Sequence, residues 1–401
     1  MAGNDTLAQA YARLEAGSVA DLAARLVRIP SHRGLERQEE AVVAELGRWL
    51  AARGLEVALD EAAPGRPNLL CTVRAARPGR RLIFCGHTDT VPLNADGAGH
   101  GFAGEVVDGR LRGRGAVDMK GPLAAMAVAL AALDGVLPAG ELTLAAVVDE
   151  EMESIGAERL VLAGLAAEGA VVGEPTGNRI ALGHKGLEWL QIEFTGRAAH
   201  GGTPERGVNA VVAAARFVAL VEDRLQPRLA ARSHPRLGAP TLNFGTVQGG
   251  DQPSTVAARC RLALDRRTVP AETYERVVGE LVDLLCEVEA AMPGLTSRIG
   301  RMPGGMATMD HVALDTAPDH PLALAAARAR ERVLGEPGEF TSFPAWTDGA
   351  LLAGVGGVPT IVLGPGDLAL AHAPAESIPV AELEAAARLY AALAVEFCPE
   401  D

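Results

Sequence analysis

The sequence predicts an α/β protein in which a second, ferredoxin-like domain is inserted into a first. Three observations lead there. Between residues 120 and 173, helix-like and strand-like segments alternate, which implies a mostly central sheet covered by helices. Between 186 and 303 the order becomes β-α-β-β-α-β, that of a ferredoxin-like unit. After it the first pattern resumes. The 401 residues also exceed what one ordinary core holds. The expected divisions are 1–182 for the first part of the larger domain, 183–305 for the insertion and 306–401 for the second part.

Each element has its own signal. Residues 18–29 (SVADLAARLVRI) carry apolar residues at helical spacing, with Ser18 as N-cap and Pro30 as stop. Residues 37–53 form a second amphipathic helix, ended by Gly54. The short runs 55–59, 68–73 and 81–86 read as strands. Helices follow at 120–134 and 156–166, and strands at 141–148 and 169–173. Within the insertion, 186–196, 241–250, 254–267 and 295–302 read as strands and 207–224 and 271–291 as helices. A helix at 321–334, a strand at 358–363 and a helix at 380–397 close the chain.

Composition narrows the function. Aromatics are 3%, so the core must rest on Ala, Val and Leu. The net charge of −14 argues against nucleic acid as the main partner. The five cysteines form no CxxC pair, which favours buried apolar thiols over a disulfide framework or a thiolate zinc site. The polar stretch Met1–Gln9 has no signal-peptide pattern, and no run offers the ~20 apolar residues of a membrane span. The expectation is a cytoplasmic protein with no membrane partner.

The chemistry sits in loops that follow strands, where open α/β sheets bind ligands. His87 and Asp89 follow the strand 81–86, and Asp89 is near enough in sequence to orient the His87 ring. Asp118 lies between a glycine-rich turn, which tolerates tight backbone, and a helix it could simply cap. Asp149, Glu150, Glu151 and Glu153 crowd another strand exit, a repulsion that a cation would relieve. Glu174 and His372 follow two further strands. Singly these are ordinary features. Together, two imidazoles and several carboxylates form a nitrogen and oxygen ligand set suited to zinc, cobalt or manganese. An odd number of ligands is natural if one carboxylate bridges two ions about 3.5–4 Å apart.

The motifs GHTDTVP (86–92), GRGAVDMKG (113–121), DEE (149–151), GEPT (173–176), AHGGTPERGVNA (199–210) and LGPG with AHAP (363–374) occur in that order. In these the chain resembles, from about residue 20 onward, the di-zinc deacylases and exopeptidases. That family includes acetylornithine deacetylases, succinyl-diaminopimelate desuccinylases, aminoacylases and glutamate carboxypeptidases. The resemblance implies a zinc-exopeptidase-like catalytic domain with the insertion as lid and dimerisation domain. It implies two divalent ions, held by His87 and His372, bridged by Asp118 and completed by Glu151 and Glu174. Asp89 would orient His87. Glu150 would be the general base, taking a proton from the water between the ions. His200 would donate to the oxyanion from a neighbouring subunit, and Arg267 or its neighbour Arg266 would grip the substrate carboxylate, with Asn243 as a further polar contact.

The implied reaction is hydrolysis of the amide of an N-acyl amino acid by a homodimer. Within the family, 240–251 and 362–378 resemble the acetylornithine deacetylase subgroup, whereas DQPSTV (251–256) departs from that subgroup's Asn-rich turn. A desuccinylase, another peptidase on the same site and a non-catalytic binding protein are the other readings.

Overall fold

A computed structural model describes residues 2–15, 17–94, 99–305 and 309–400. The chain forms two compact units, Met1–His184 with Leu314–Asp401, and Lys185–Ala313.

The larger unit is built on a mixed eight-stranded sheet. Its order is Val57–Ala63, Arg66–Arg74, Glu141–Val147, Arg81–His87, Gly169–Val172, Thr360–Val362, Ile180–Ala181 and Phe340–Thr341. The four strands from Glu141–Val147 to Thr360–Val362 pair in parallel, with His87 opposite Val147 and Cys85 opposite Val172. Their carboxyl ends therefore lie along one edge. The helix Lys120–Leu133 is buried along almost its whole length, as its Ala, Leu, Val and Met composition requires. It packs against Ser18–Val27 and Val380–Phe397, and Leu22, Leu130, Tyr390 and Leu393 belong to the shared core. A three-stranded sheet pairs Ser377–Pro379 with Arg110–Arg112, and thereby lays the segment after His372 beside the one before Asp118.

The second unit is a four-stranded antiparallel sheet in the order Thr241–Gly249, Arg259–Thr268, Gly186–Thr195, Thr296–Arg301. Alternate residues Leu190, Ile192 and Phe194 enter a core shared with the helices Ala210–Leu220 and Tyr274–Ala291. Asn209 caps the first helix by accepting the Val211 and Val212 N–H groups, and Thr273 caps the second through Arg276 N–H. Element order and sheet order together are ferredoxin-like.

Several local expectations shift. Ser18 is not the cap: Gly17 holds that position at φ 81°, so the turn is made by a left-handed glycine. A helix at Ala2–Arg13, unmarked by strong periodicity, seats Leu7 and Ala10 in the core. The first strand extends to Ala63 because the chain turns back at once, pairing Ala63 with Arg66. The helix expected over 207–224 passes at Val221 into a π turn and a short helix, Gln226–Ala230. Four of the thiols are buried, but Cys286 is exposed. Among the described residues, no helix is long and apolar enough to cross a membrane.

Candidate metal centre

The parallel strands deliver the candidate ligands together. His87 ends its strand, Glu150 and Glu151 follow Val147, Glu174 follows Val172, and His372 lies beyond Thr360–Val362. Asp118 comes from the turn before Lys120–Leu133. It does not cap that helix: the cap residue is Met119, and no side chain bonds there. Its two oxygens instead face two histidines, with Oδ1 3.0 Å from His87 Nε2 and Oδ2 3.2 Å from His372 Nε2. Glu174 Oε1 stands 3.6 Å from His87 Nε2, and Glu151 Oε1 stands 3.0 Å from His372 Nε2. Glu150 Oε2 lies 4.0 Å from His87 Nε2. Ligand atoms of His87, Asp118 and Glu151, and likewise of His87, Glu150 and Glu174, all fall within 4.8 Å of one another.

Supports hold these groups in place. His87 Nδ1 is 3.0 Å from the Asp89 carbonyl and 3.4 Å from Asp89 Oδ1, so the ring meets Asp118 through Nε2. Gly86 and Gly173, adjacent strand ends, leave room for Met119: a Cβ there would come within 2.6 and 2.8 Å of its methyl group. Asp149 and His372 adopt φ 73° and 61°, a costly region for residues with a side chain. The acidic run 149–153 divides by role. Asp149 pairs with Arg66, which also holds Glu39, while Glu150 and Glu151 enter the cluster.

The electrostatics are those of crowded, buried acids. Burial, then the charge of Glu174, pushes the Glu150 carboxyl well above the usual range, against His87. Burial and then Asp118 do the same for Glu174. Burial raises Asp118 too, but the bonds to His372 and His87 outweigh it and hold that carboxyl well below the usual range. His372 is raised to about 10 by its bonds to Asp118 and Glu151. Glu174 Oε1 is buried and has no hydrogen-bond partner among the described residues. An orphaned buried oxygen beside like charges fits divalent cations, as does the mixed imidazole and carboxylate set.

Three buried charged groups are not among the candidates drawn from the sequence. Asp348 is buried, and burial drives its carboxyl up to about 7. Arg114 and Glu376 form a buried pair. A charged residue inside an apolar or glycine-rich stretch was the available signal in each case.

The remaining candidates belong to the second unit. His200 is exposed, and its Nδ1 accepts the Gly202 N–H at 3.0 Å. Asn243 lies exposed on the edge strand. Arg266 is buried against Glu272 at 2.7 Å. Arg267 is partly exposed and held by Asp265 through bonds of 2.7 and 3.0 Å.

Comparison with known proteins agrees on the family. The model of peptidase family M20/M25/M40 matches residues 83–396. The acetylornithine deacetylase of Proteus mirabilis is 30% identical over 375 residues, covering 90% of this chain and 91% of that one. The acetylornithine deacetylase of Vibrio cholerae is 30% identical over 368 residues, covering 90% and 92%. Among solved structures, aminopeptidase PepT of Bacillus cereus superposes with a TM-score of 0.76 at 23% identity, covering 96% of this chain and 99% of that one. The YXEP protein of Bacillus subtilis, described as a dinuclear metal-binding peptidase, gives 0.70 at 16%, covering 94% and 96%.

Proposed function

The chain belongs to peptidase family M20/M25/M40 and is a metal-dependent hydrolase; from that premise we propose that it cleaves the amide of an N-acyl-L-amino acid, N-acetyl-L-ornithine first among them. The observation that carries the reading is Asp118, whose two oxygens each face one histidine, with Glu150 alongside. His87, Asp118 and Glu174 would hold one cation, and His372, Asp118 and Glu151 the other, zinc being the leading candidate and cobalt or manganese compatible. Two such ions supply polarisation of the scissile carbonyl and a lowered pKa for the attacking water.

The chain's own residues do the rest. Glu150, not needed as a ligand, takes the proton from the attacking water and gives it to the leaving nitrogen. Asp89 keeps the His87 ring turned toward the site. His200, whose Nδ1 is occupied by Gly202 N–H, carries its proton on Nε2 and is suited to donate to an oxyanion. Arg267, less enclosed than Arg266, is assigned to the substrate carboxylate, with Asn243 as a polar contact.

We further propose a homodimer through the second unit. Its strand Thr241–Gly249 is an outer strand with a free edge among the described residues, and beside it lies an apolar cavity of about 460 Å³ lined by Val211, Val218, Phe244 and Val247. Val211 and Val247 are exposed. A second copy pairing edge to edge would cover both.

An amine-release assay tests the reaction. The zinc- or cobalt-loaded protein is given N-acetyl-L-ornithine, N-succinyl-diaminopimelate, other N-acetyl amino acids and dipeptides, with and without chelator. Chelator-sensitive release, fastest from N-acetyl-L-ornithine, is the expected result. Preference for another member overturns the substrate, and no release from any, with bound metal verified, points to a substrate outside the panel or to the binding-protein reading.

A further inference from the structure

Arg114 and Glu376 are 4% and 1% exposed, and Arg114 Nη1 meets Glu376 Oε2 at 2.6 Å. Neither is a candidate ligand, yet each reaches a different ligand loop. Glu376 Oε1 accepts the backbone N–H groups of Gly115 at 2.9 Å, Val117 at 2.9 Å and Asp118 at 3.2 Å. Those groups line the turn that delivers Asp118, a turn that relies on Gly113 and Gly115 at φ 140° and 87°. A side chain at Gly115 would meet Thr90 at 2.9 Å.

Arg114 works toward the other loop. Its Nη2 donates to the His372 carbonyl at 3.1 Å and to Asn94 Oδ1 at 3.1 Å, and Nη1 reaches the Ala373 carbonyl at 3.5 Å. The His372 backbone is in the left-handed region, where it needs support from its surroundings. The backbone joins the same two segments: Gly113 N–H donates to the Glu376 carbonyl at 3.0 Å, and Arg112 pairs with Ser377. A buried ion pair needs further hydrogen bonds to offset its desolvation, so what matters is where those bonds run. Here, apart from the bond to Asn94, they run to the residues that bring Asp118 and His372 within 3.2 Å.

We propose that Arg114 and Glu376 are positioning residues that set the spacing of Asp118 and His372, so that the cation shared by these two and Glu151 finds its ligands preformed. This rests on the two-cation reading above. Supporting groups of this kind contribute about 10–100-fold to metal affinity.

The test is calorimetric titration of the chelator-stripped protein with Co2+ or Zn2+, with the melting temperature of each apo variant measured alongside. Arg114→Lys keeps a charge for Glu376 but loses the fork to the His372 carbonyl. The expected result is a normal apo melting temperature, one ion bound as in the wild type, and the other weakened about 10–100-fold. If Arg114→Lys does not fold, Glu376→Gln removes the charge partner while keeping an acceptor for the turn; because that turn carries Asp118, assigned to both ions, both are then expected to weaken at an unchanged apo melting temperature. Two ions bound with wild-type affinity overturn the proposal. So does equal weakening of both ions with a lowered apo melting temperature, the mark of a purely structural pair. A wild-type protein that fails to bind two ions overturns the two-cation reading itself.

Discussion

Asp89 Oδ2 accepts the backbone N–H of Glu151 at 3.1 Å. Its Oδ1 accepts that of Glu150 at 3.2 Å and stands 3.4 Å from His87 Nδ1. One buried carboxylate thus fixes an imidazole on one strand and the paired glutamates on the next. The parallel register that sets His87 opposite Val147 makes this possible. Glu150 is consequently held through its backbone N–H, and its side chain takes no part in these bonds.

Glu150→Gln keeps the shape and backbone of this loop and removes the proton acceptor. Turnover is expected to fall about 10²–10⁴-fold, with KM nearly unchanged. Metal content by atomic absorption should stay at the wild-type value. Near-normal turnover would remove the base assignment, and lost metal would make Glu150 a ligand instead.

Removing the cations should cost stability as well as activity. Without them, burial and mutual repulsion raise the carboxyls of Glu150, Glu151 and Glu174. Ions present at a thousandfold excess over Kd contribute about 4 kcal/mol per site. Scanning calorimetry should show the melting temperature falling by several degrees on chelation and recovering with zinc or cobalt. An unchanged melting temperature after verified removal would argue against a loaded site.

The edge strand carries the dimer prediction. Val247→Lys puts a charge on an exposed edge position without touching the buried core. Sedimentation should find the wild type dimeric and the variant largely monomeric, with a normal melting temperature. A wild-type monomer, or a variant dimer of undiminished affinity, would move the interface elsewhere or abolish it.

Most of this candidate site is legible in the sequence because most of its residues follow apolar strands, and parallel pairing brings strand exits together. His87, Glu150, Glu151 and Glu174 are all of that kind. Asp118 is more ambiguous, since a carboxylate before a helix reads equally as a cap, and only its contacts with two histidines decide. The Glu376 support was not legible for a plainer reason: it bonds the Asp118 N–H from 258 residues away. Within the second unit, the strand and helix periods announce the ferredoxin-like order. The π turn at Val221–Leu225 leaves no comparable trace, because its residues fit an ordinary amphipathic helix.

A buried histidine in the second unit is expected to tie stability to pH. His311 is 2% exposed; burial first, then the charge of Arg301, lowers its imidazole to about 4, while Asp310 acts the other way. In an unfolded chain the same ring titrates near 6.5. Between pH 6.5 and about 4 the unfolded state therefore binds a proton that the folded state does not, so His311 lowers stability as pH falls. From pH 7 to pH 5 its contribution is roughly 2 kcal/mol. Arg301 is itself tied to Glu188 and Asp310, and Glu188, raised by burial, favours the fold on acidification. Comparison with His311→Leu isolates the histidine. Urea unfolding at pH 7 and pH 5 should show the wild type losing about 2 kcal/mol more than the variant, and equal losses would mean the ring is protonated in the folded state.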